Sequence, residues 1–100
     1  MTSYRLAENA DADLQNIYWF THESWGENQA EIYINGLFST FELLAQHPDM
    51  GRLRMELGKD IRSFVHKRHV IYYIAIDGDI GISRVLHGSM DVENAGLLEE

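Results

Sequence analysis

The chain has 100 residues, 45% of them hydrophobic, which suits one compact domain with a modest core and is too apolar for a disordered chain. It contains no cysteine, which excludes disulfides and thiolate metal sites. Its formal net charge of −8 argues against general affinity for nucleic acid, a property built on clustered Lys and Arg.

The N-terminus carries no signal-peptide pattern. The longest apolar stretch, residues 70–76, is seven residues against the roughly 20 needed to cross a bilayer. The expectation is a single soluble domain over residues 1–100, cytoplasmic and away from the membrane.

In chain order, residues 3–6 form a short strand candidate. Residues 8–25 follow with Leu14, Ile17, Tyr18, Thr21 and Trp25 along one helical face. Glu8, Asp11 and Asp13 stand in its first turns, where carboxylates suit the helix dipole. Gly26 is a natural stop. Residues 28–46 predict a second helix whose apolar positions, among them Ala30, Tyr33, Ile34, Leu37, Phe38, Phe41 and Leu44, make a broad face. Two long helices with so short a link predict an antiparallel hairpin. Trp19 and Phe20 sit beside the first stripe. They read as edge-of-core packing or as the wall of a docking groove.

Pro48, the only proline, marks a break, after which the period changes from helical to alternating. Residues 61–67, 70–76 and 80–86 predict three strands. Asp77-Gly78-Asp79 predicts the hairpin between the last two, and the run over 70–76 reads as the central strand because it is apolar on both faces. In the last strand, alternation places Ile82, Arg84 and Leu86 on one face, so Arg84 needs an acidic partner such as Glu56, Asp60 or Asp91. Residues 90–98 carry a weak helical pattern interrupted by Gly96. The order is β-α-α-β-β-β with an optional short final helix. This is an α+β fold with a helical hairpin packed on one face of a small antiparallel sheet, and function is expected on the other, partly open face.

Charge is unevenly spread. Residues 52–69 hold six bases (Arg52, Arg54, Lys59, Arg62, Lys67, Arg68) against two acids, in a chain otherwise strongly acidic. Such an island reads as a surface for an anionic partner or as a solvated charged loop. His66, His69 and His87 do not have the spacing of a metal set, so no metal and no cofactor is expected.

Three stretches carry a resemblance. They are Tyr4-Arg5-Leu6 leading into Ala10, Ala12, Asp13, Leu14 and Ile17; Met50-Gly51-Arg52-x-Arg54-x-Glu56-Leu57 with Arg62-Ser63-Phe64; and Ile82-x-Arg84-Val85-Leu86-His87-Gly88 with Asp91 behind it. In this order and spacing, over residues 4–91, they resemble the ParE branch of the RelE/ParE toxin–antitoxin superfamily. The chain departs from that pattern in having Ala7-Glu8 where Ser-Pro is usual and Ser89-Met90 where an arginine is common.

The resemblance implies a type II toxin held inactive by a cognate ParD-like antitoxin in a hetero-oligomer. It also implies a stoichiometric mode of action on DNA gyrase, with no direct binding of nucleic acid by the toxin alone. Under it, Arg52, Arg54, Arg62, Arg84 and His87 are the expected target-binding residues, and Trp19, Tyr33 and Leu37 the expected antitoxin-binding ones. A RelE-like ribosome-dependent endoribonuclease remains an alternative, with Arg62 and Arg84 as cations and His87 or Tyr73 moving protons. The four acids and no base after Arg84 would repel RNA. A non-toxic regulator that binds the antitoxin is the third reading.

Overall fold

The computed structural model describes residues 3–88. Strand β1 (Tyr4–Leu6) leads into helix α1 (Glu8–Trp25) and helix α2 (Glu27–Gln46). A 3-10 turn (Pro48–Met50) then precedes strands β2 (Arg52–Leu53), β3 (Arg62–His66), β4 (His69–Ile76) and β5 (Asp79–His87). The final helix considered over residues 90–98, and Asp91 with it, lie outside the described residues.

Gly26 alone links the helices. Its φ of +95° ends α1, its N–H caps His22 O at 2.9 Å, and its carbonyl receives Ala30 N–H at 3.1 Å as α2 begins. Only glycine adopts that backbone cheaply. After α2, Pro48 opens the 3-10 turn, where its missing N–H costs nothing.

The sheet order is β1-β5-β4-β3-β2. β3, β4 and β5 are antiparallel neighbours as expected and β2 adds to β3 antiparallel, but β1 runs parallel to β5, so the sheet is mixed. No hairpin joins those two strands; the whole helical pair lies between them, and no turn dictates their direction. β2, too short to show alternation, was not foreseen. The β4–β5 hairpin turns on Asp77 and Gly78, at φ +44° and +87°, the two positive values that a primed turn demands. Lys67, at φ +55°, turns β3 into β4.

The core lies between the hairpin and one sheet face. Leu14 and Ile17 of α1 and Leu37, Phe41 and Leu44 of α2 pack on Ile71, Tyr73, Ile80, Ile82 and Val85. Removing a side chain such as Phe41, fully buried here, typically costs ~3–5 kcal/mol.

The opposite face is less open than expected. Residues 54–61 fold across it, closed by Arg54 N–H to Ile61 O at 2.7 Å, and bring Leu57 and Ile61 onto Tyr72 and Leu86.

A register shift corrects the expected facing of β5. Tyr72 pairs with Arg84 but Tyr73 pairs with Ile82, so Ser83 is an extra, bulged residue. The alternation slips by one there. Ile82 and Val85 both join the helix-side core, whereas Leu86 joins the opposite cluster.

Candidate functional site

The residues expected at a target or catalytic surface are held in several places by different partners. Arg84 is clamped by Asp13 of α1: Nε donates to Oδ2 at 2.8 Å and Nη2 to Oδ1 at 2.9 Å, with side chains only 17% and 12% exposed. Asp13 Oδ2 also accepts the Val85 N–H at 2.9 Å. β1 pairs with β5 only as far as Ile82, so this carboxylate satisfies the strand edge where β1 stops. Among the described residues Arg84 finds its acid on α1 rather than at Glu56 or Asp60, and the bond to Asp13 holds the guanidinium more firmly charged than usual.

Arg62 is also occupied by the fold. Its Nη1 donates to Gly51 O at 2.8 Å, and Asp49 lies 3.6 Å from Nη2. Arg54 donates to Glu56 at 2.7 Å and to Ser63 Oγ at 3.1 Å, fixing the loop that covers the sheet. Arg52 is exposed on β2. The basic island is thus partly an internal brace and partly a surface.

Tyr73 is fully buried, which corrects its expected role in moving protons. Its hydroxyl accepts the Gly51 N–H and donates to Pro48 O, both at 2.8 Å, and burial raises its pKa. Both hydroxyl bonds are spent on pinning the turn after α2. Nor do the four ribonuclease candidates converge. Tyr73 pairs with Arg62, while His87 pairs with His69, four residues along β4 and so about 13 Å away.

A different site appears at the other end of the sheet. His66, His69 and His87 stand abreast on β3, β4 and β5, because His66 pairs with His69 and His69 with His87. Tyr33 of α2 reaches this row, its hydroxyl 2.6 Å from His69 Nδ1 and 3.4 Å from His66 O. Thr40 Oγ1 lies 3.1 Å from His66 Nδ1. The His69 and His87 rings meet edge to face with centroids 5.6 Å apart.

Burial first, then the fields of His87, His66 and Arg68, push the His69 pKa down to about 4, so its ring is neutral at neutral pH. Burial lowers that of His66 as well. Among the described residues no group of three His, Asp or Glu side chains is placed to hold a metal ion.

Two adjoining clefts of about 300 and 320 Å³ border this row and share Phe20, His69 and His87. Trp25, Gln29, Tyr33 and Arg68 line the first; Asp13, Ile17, Val85 and Leu86 line the second. Phe20 and Trp25 are 68% and 64% exposed, and Trp19, on the neighbouring flank of α1, is 57% exposed. The edge-of-core reading of Trp19 and Phe20 therefore fails. Trp25 leaves the expected core stripe to form a cleft wall. Trp19 borders a third, shallower cleft with Tyr18, Ile34 and Phe38.

Of the residues expected to receive an antitoxin, Trp19 is on the surface and Tyr33 lines the first cleft. Leu37 is 0% exposed and belongs to the core, which corrects its expected place on a docking face. Phe20, one of the two residues read as a possible groove wall, lines both of the larger clefts, whereas Arg68 and His69 were not singled out for docking. Their only signal was an apparently ordinary basic turn.

The family described as "ParE toxin of type II toxin-antitoxin system, parDE" matches residues 4–92. The chain is 37% identical over 91 residues to Toxin ParE1 of Caulobacter vibrioides, covering 91% of this chain and 94% of that protein. It is 34% identical to Toxin ParE1 of Mycobacterium tuberculosis, covering 90% and 93%. A solved structure titled "Chromosomal ParDE TA system from P. aeruginosa" shares the fold at a TM-score of 0.74 and 20% identity, over 87% of this chain and 96% of that one.

Proposed function

Since the chain belongs to the ParE toxin family of type II toxin–antitoxin systems, we propose that it is a stoichiometric toxin of the bacterial cytoplasm. A cognate ParD-like antitoxin silences it by covering the aromatic flank of the helical hairpin. Once released, the toxin binds DNA gyrase and stalls strand passage, so double-strand breaks accumulate.

The observation that carries this reading is the exposure of Trp19, Phe20 and Trp25 along α1. Three large aromatics in water on so small a domain are costly unless a partner covers them, and helix-in-groove docking is a common solution. A stoichiometric mode is favoured over ribonuclease chemistry by the internal commitments of Tyr73 and Arg84. A general acid or base needs a reachable proton, and the Tyr73 hydroxyl has both its bonds inside the fold. Arg52 and the solvent side of the basic segment remain as the surface offered to the target, with His87 at the sheet end.

The test is induction of this chain alone in a bacterial host, with DNA breaks and messenger-RNA cuts scored directly. Growth arrest with DNA breaks, relieved by co-expressing the protein encoded beside it, is expected. Arrest with cut messenger RNA and intact DNA would replace the gyrase reading with the ribonuclease one. Normal growth with soluble, folded protein would leave a non-toxic regulator.

A further inference from the structure

From the paired clefts at the histidine row we infer that they are the socket for one segment of the antitoxin, an apolar side chain followed closely by a carboxylate. The carboxylate is taken by Arg68. This rests on the antitoxin reading above and adds to it the place on the fold and the chemistry of the partner.

The walls select the apolar part. Phe20 and Trp25 from α1, with Ile17, Val85 and Leu86 at the floor and far side, enclose clefts at the small end of the range for ligand pockets. Each suits a bulky side chain and neither suits a large cofactor. Exposed aromatics at a concave site are the residues on which binding energy concentrates.

The charges select the acidic part. Asp13, at one end, is neutralised by its two bonds to Arg84. His69 is uncharged at neutral pH, so it neither attracts nor repels an ion strongly. Arg68 is the fixed charge left on the cleft lining, and it makes no ion pair among the described residues. Its main chain is anchored, since Arg68 O accepts the Gly88 N–H at 2.9 Å, so the guanidinium projects from a set position on the β3–β4 turn. A guanidinium so placed takes a carboxylate in two-pronged fashion.

The Tyr33–His69 bond orients the rest. The Tyr33 hydroxyl and His69 Nδ1 share one hydrogen at 2.6 Å, and the His69 tautomer sets which of them donates, with His66 O a second acceptor at 3.4 Å. In the tautomer whose hydrogen is on Nε2, His69 offers a donor to a backbone carbonyl of the docked segment. On the described cleft lining Arg68 is the one Lys or Arg, so a carboxylate entering the cleft has its favourable place there.

The experiment titrates the full-length protein encoded beside this chain's gene into the purified toxin by calorimetry. Wild type is compared with Arg68→Glu, Phe20→Ser and the control Met55→Ala, 74% exposed in the loop across the opposite sheet face, each first shown to melt like wild type. Arg68→Glu and Phe20→Ser are expected to weaken binding at least 30-fold, and Met55→Ala less than twofold. Reversing one antitoxin carboxylate to Arg should recover at least tenfold against Arg68→Glu alone.

Full affinity in both cleft variants, with wild type still binding, overturns the socket while leaving the antitoxin reading intact. Weakening by Arg68→Glu that no antitoxin reversal restores also overturns it, since the effect would then be general electrostatics. Failure of the wild type to bind that protein removes the antitoxin reading and the socket together.

Discussion

Replacing Tyr73 by Phe separates a structural tyrosine from a catalytic one. The ring stays in a site with no solvent access, so the transfer of apolar surface is unchanged and only the hydroxyl is lost. That hydroxyl serves two main-chain groups, Gly51 N–H and Pro48 O, each at 2.8 Å. Deleting it strands a buried donor and a part-buried acceptor. At roughly 1–2 kcal/mol for each group left unsatisfied, the loss is about 3 kcal/mol, a large share of the roughly 5–15 kcal/mol that holds a domain of this size folded. Urea unfolding of the antitoxin-free protein should show the midpoint falling at nearly constant slope, and the melting temperature should drop by at least 10 °C or so. Toxicity should fall only in proportion to the unfolded fraction. A loss below 0.5 kcal/mol would refute the pinning argument. Full stability with toxicity abolished would return Tyr73 to a direct role.

Three further outcomes follow from neighbouring contacts. A methyl at Gly51 would overlap the Tyr73 hydroxyl and press on its ring carbons at 2.8 and 2.9 Å, so Gly51→Ala should cost about 2–3 kcal/mol by urea titration. Wild-type stability in that variant would mean the turn shifts freely. Asp13→Ala removes three hydrogen bonds from one little-exposed carboxylate, and a loss of about 3 kcal/mol is expected. A double-mutant cycle with Arg84→Met should return a coupling above 1 kcal/mol, and additive losses would show the clamp contributes nothing.

Acid should also destabilise the histidine row. The folded protein holds His69 near pKa 4 whereas an unfolded chain titrates it near 6.5. As pH falls from 6.5 to 4 the unfolded state takes up the proton first, so stability drops through that window and levels off below it. The full difference corresponds to ~3.4 kcal/mol; with the ring partly open to water, about 2 kcal/mol is expected. His69→Phe should flatten that part of the pH profile, and an unchanged slope would assign it to other groups.

Local physics made the element types legible. Helical periodicity located both helices within a residue or two, because a long amphipathic stripe leaves little freedom in how a helix packs. Gly26 and Asp77-Gly78 announced their turns, since the backbone there needs positive φ. The basic island and the motif series with Arg52, Arg54, Arg62 and Arg84 were likewise visible, and with them the family. Arg84 was read as needing a partner, and among the described residues the fold supplies Asp13, 71 positions away, which the sequence did not single out for it.

Other features escaped because they depend on which elements meet. The bulge at Ser83 inverts the facing of every later residue of β5, and nothing in a smooth apolar alternation marks where an extra residue will be inserted. Leu37 and Tyr33 share a helix and both look apolar. Only the position of the sheet beneath α2 buries the first and leaves the second at a cleft. The three histidines lie 3 and 18 positions apart, a spacing without chemical meaning until antiparallel pairing sets them side by side. The sequence by itself determined the elements, their turns and the family, because those rest on short-range sterics, periodicity and residue order. The tertiary structure decided the strand facing, the partners of Tyr73 and Arg84 and the histidine-lined cleft, because these arise where distant segments come into contact.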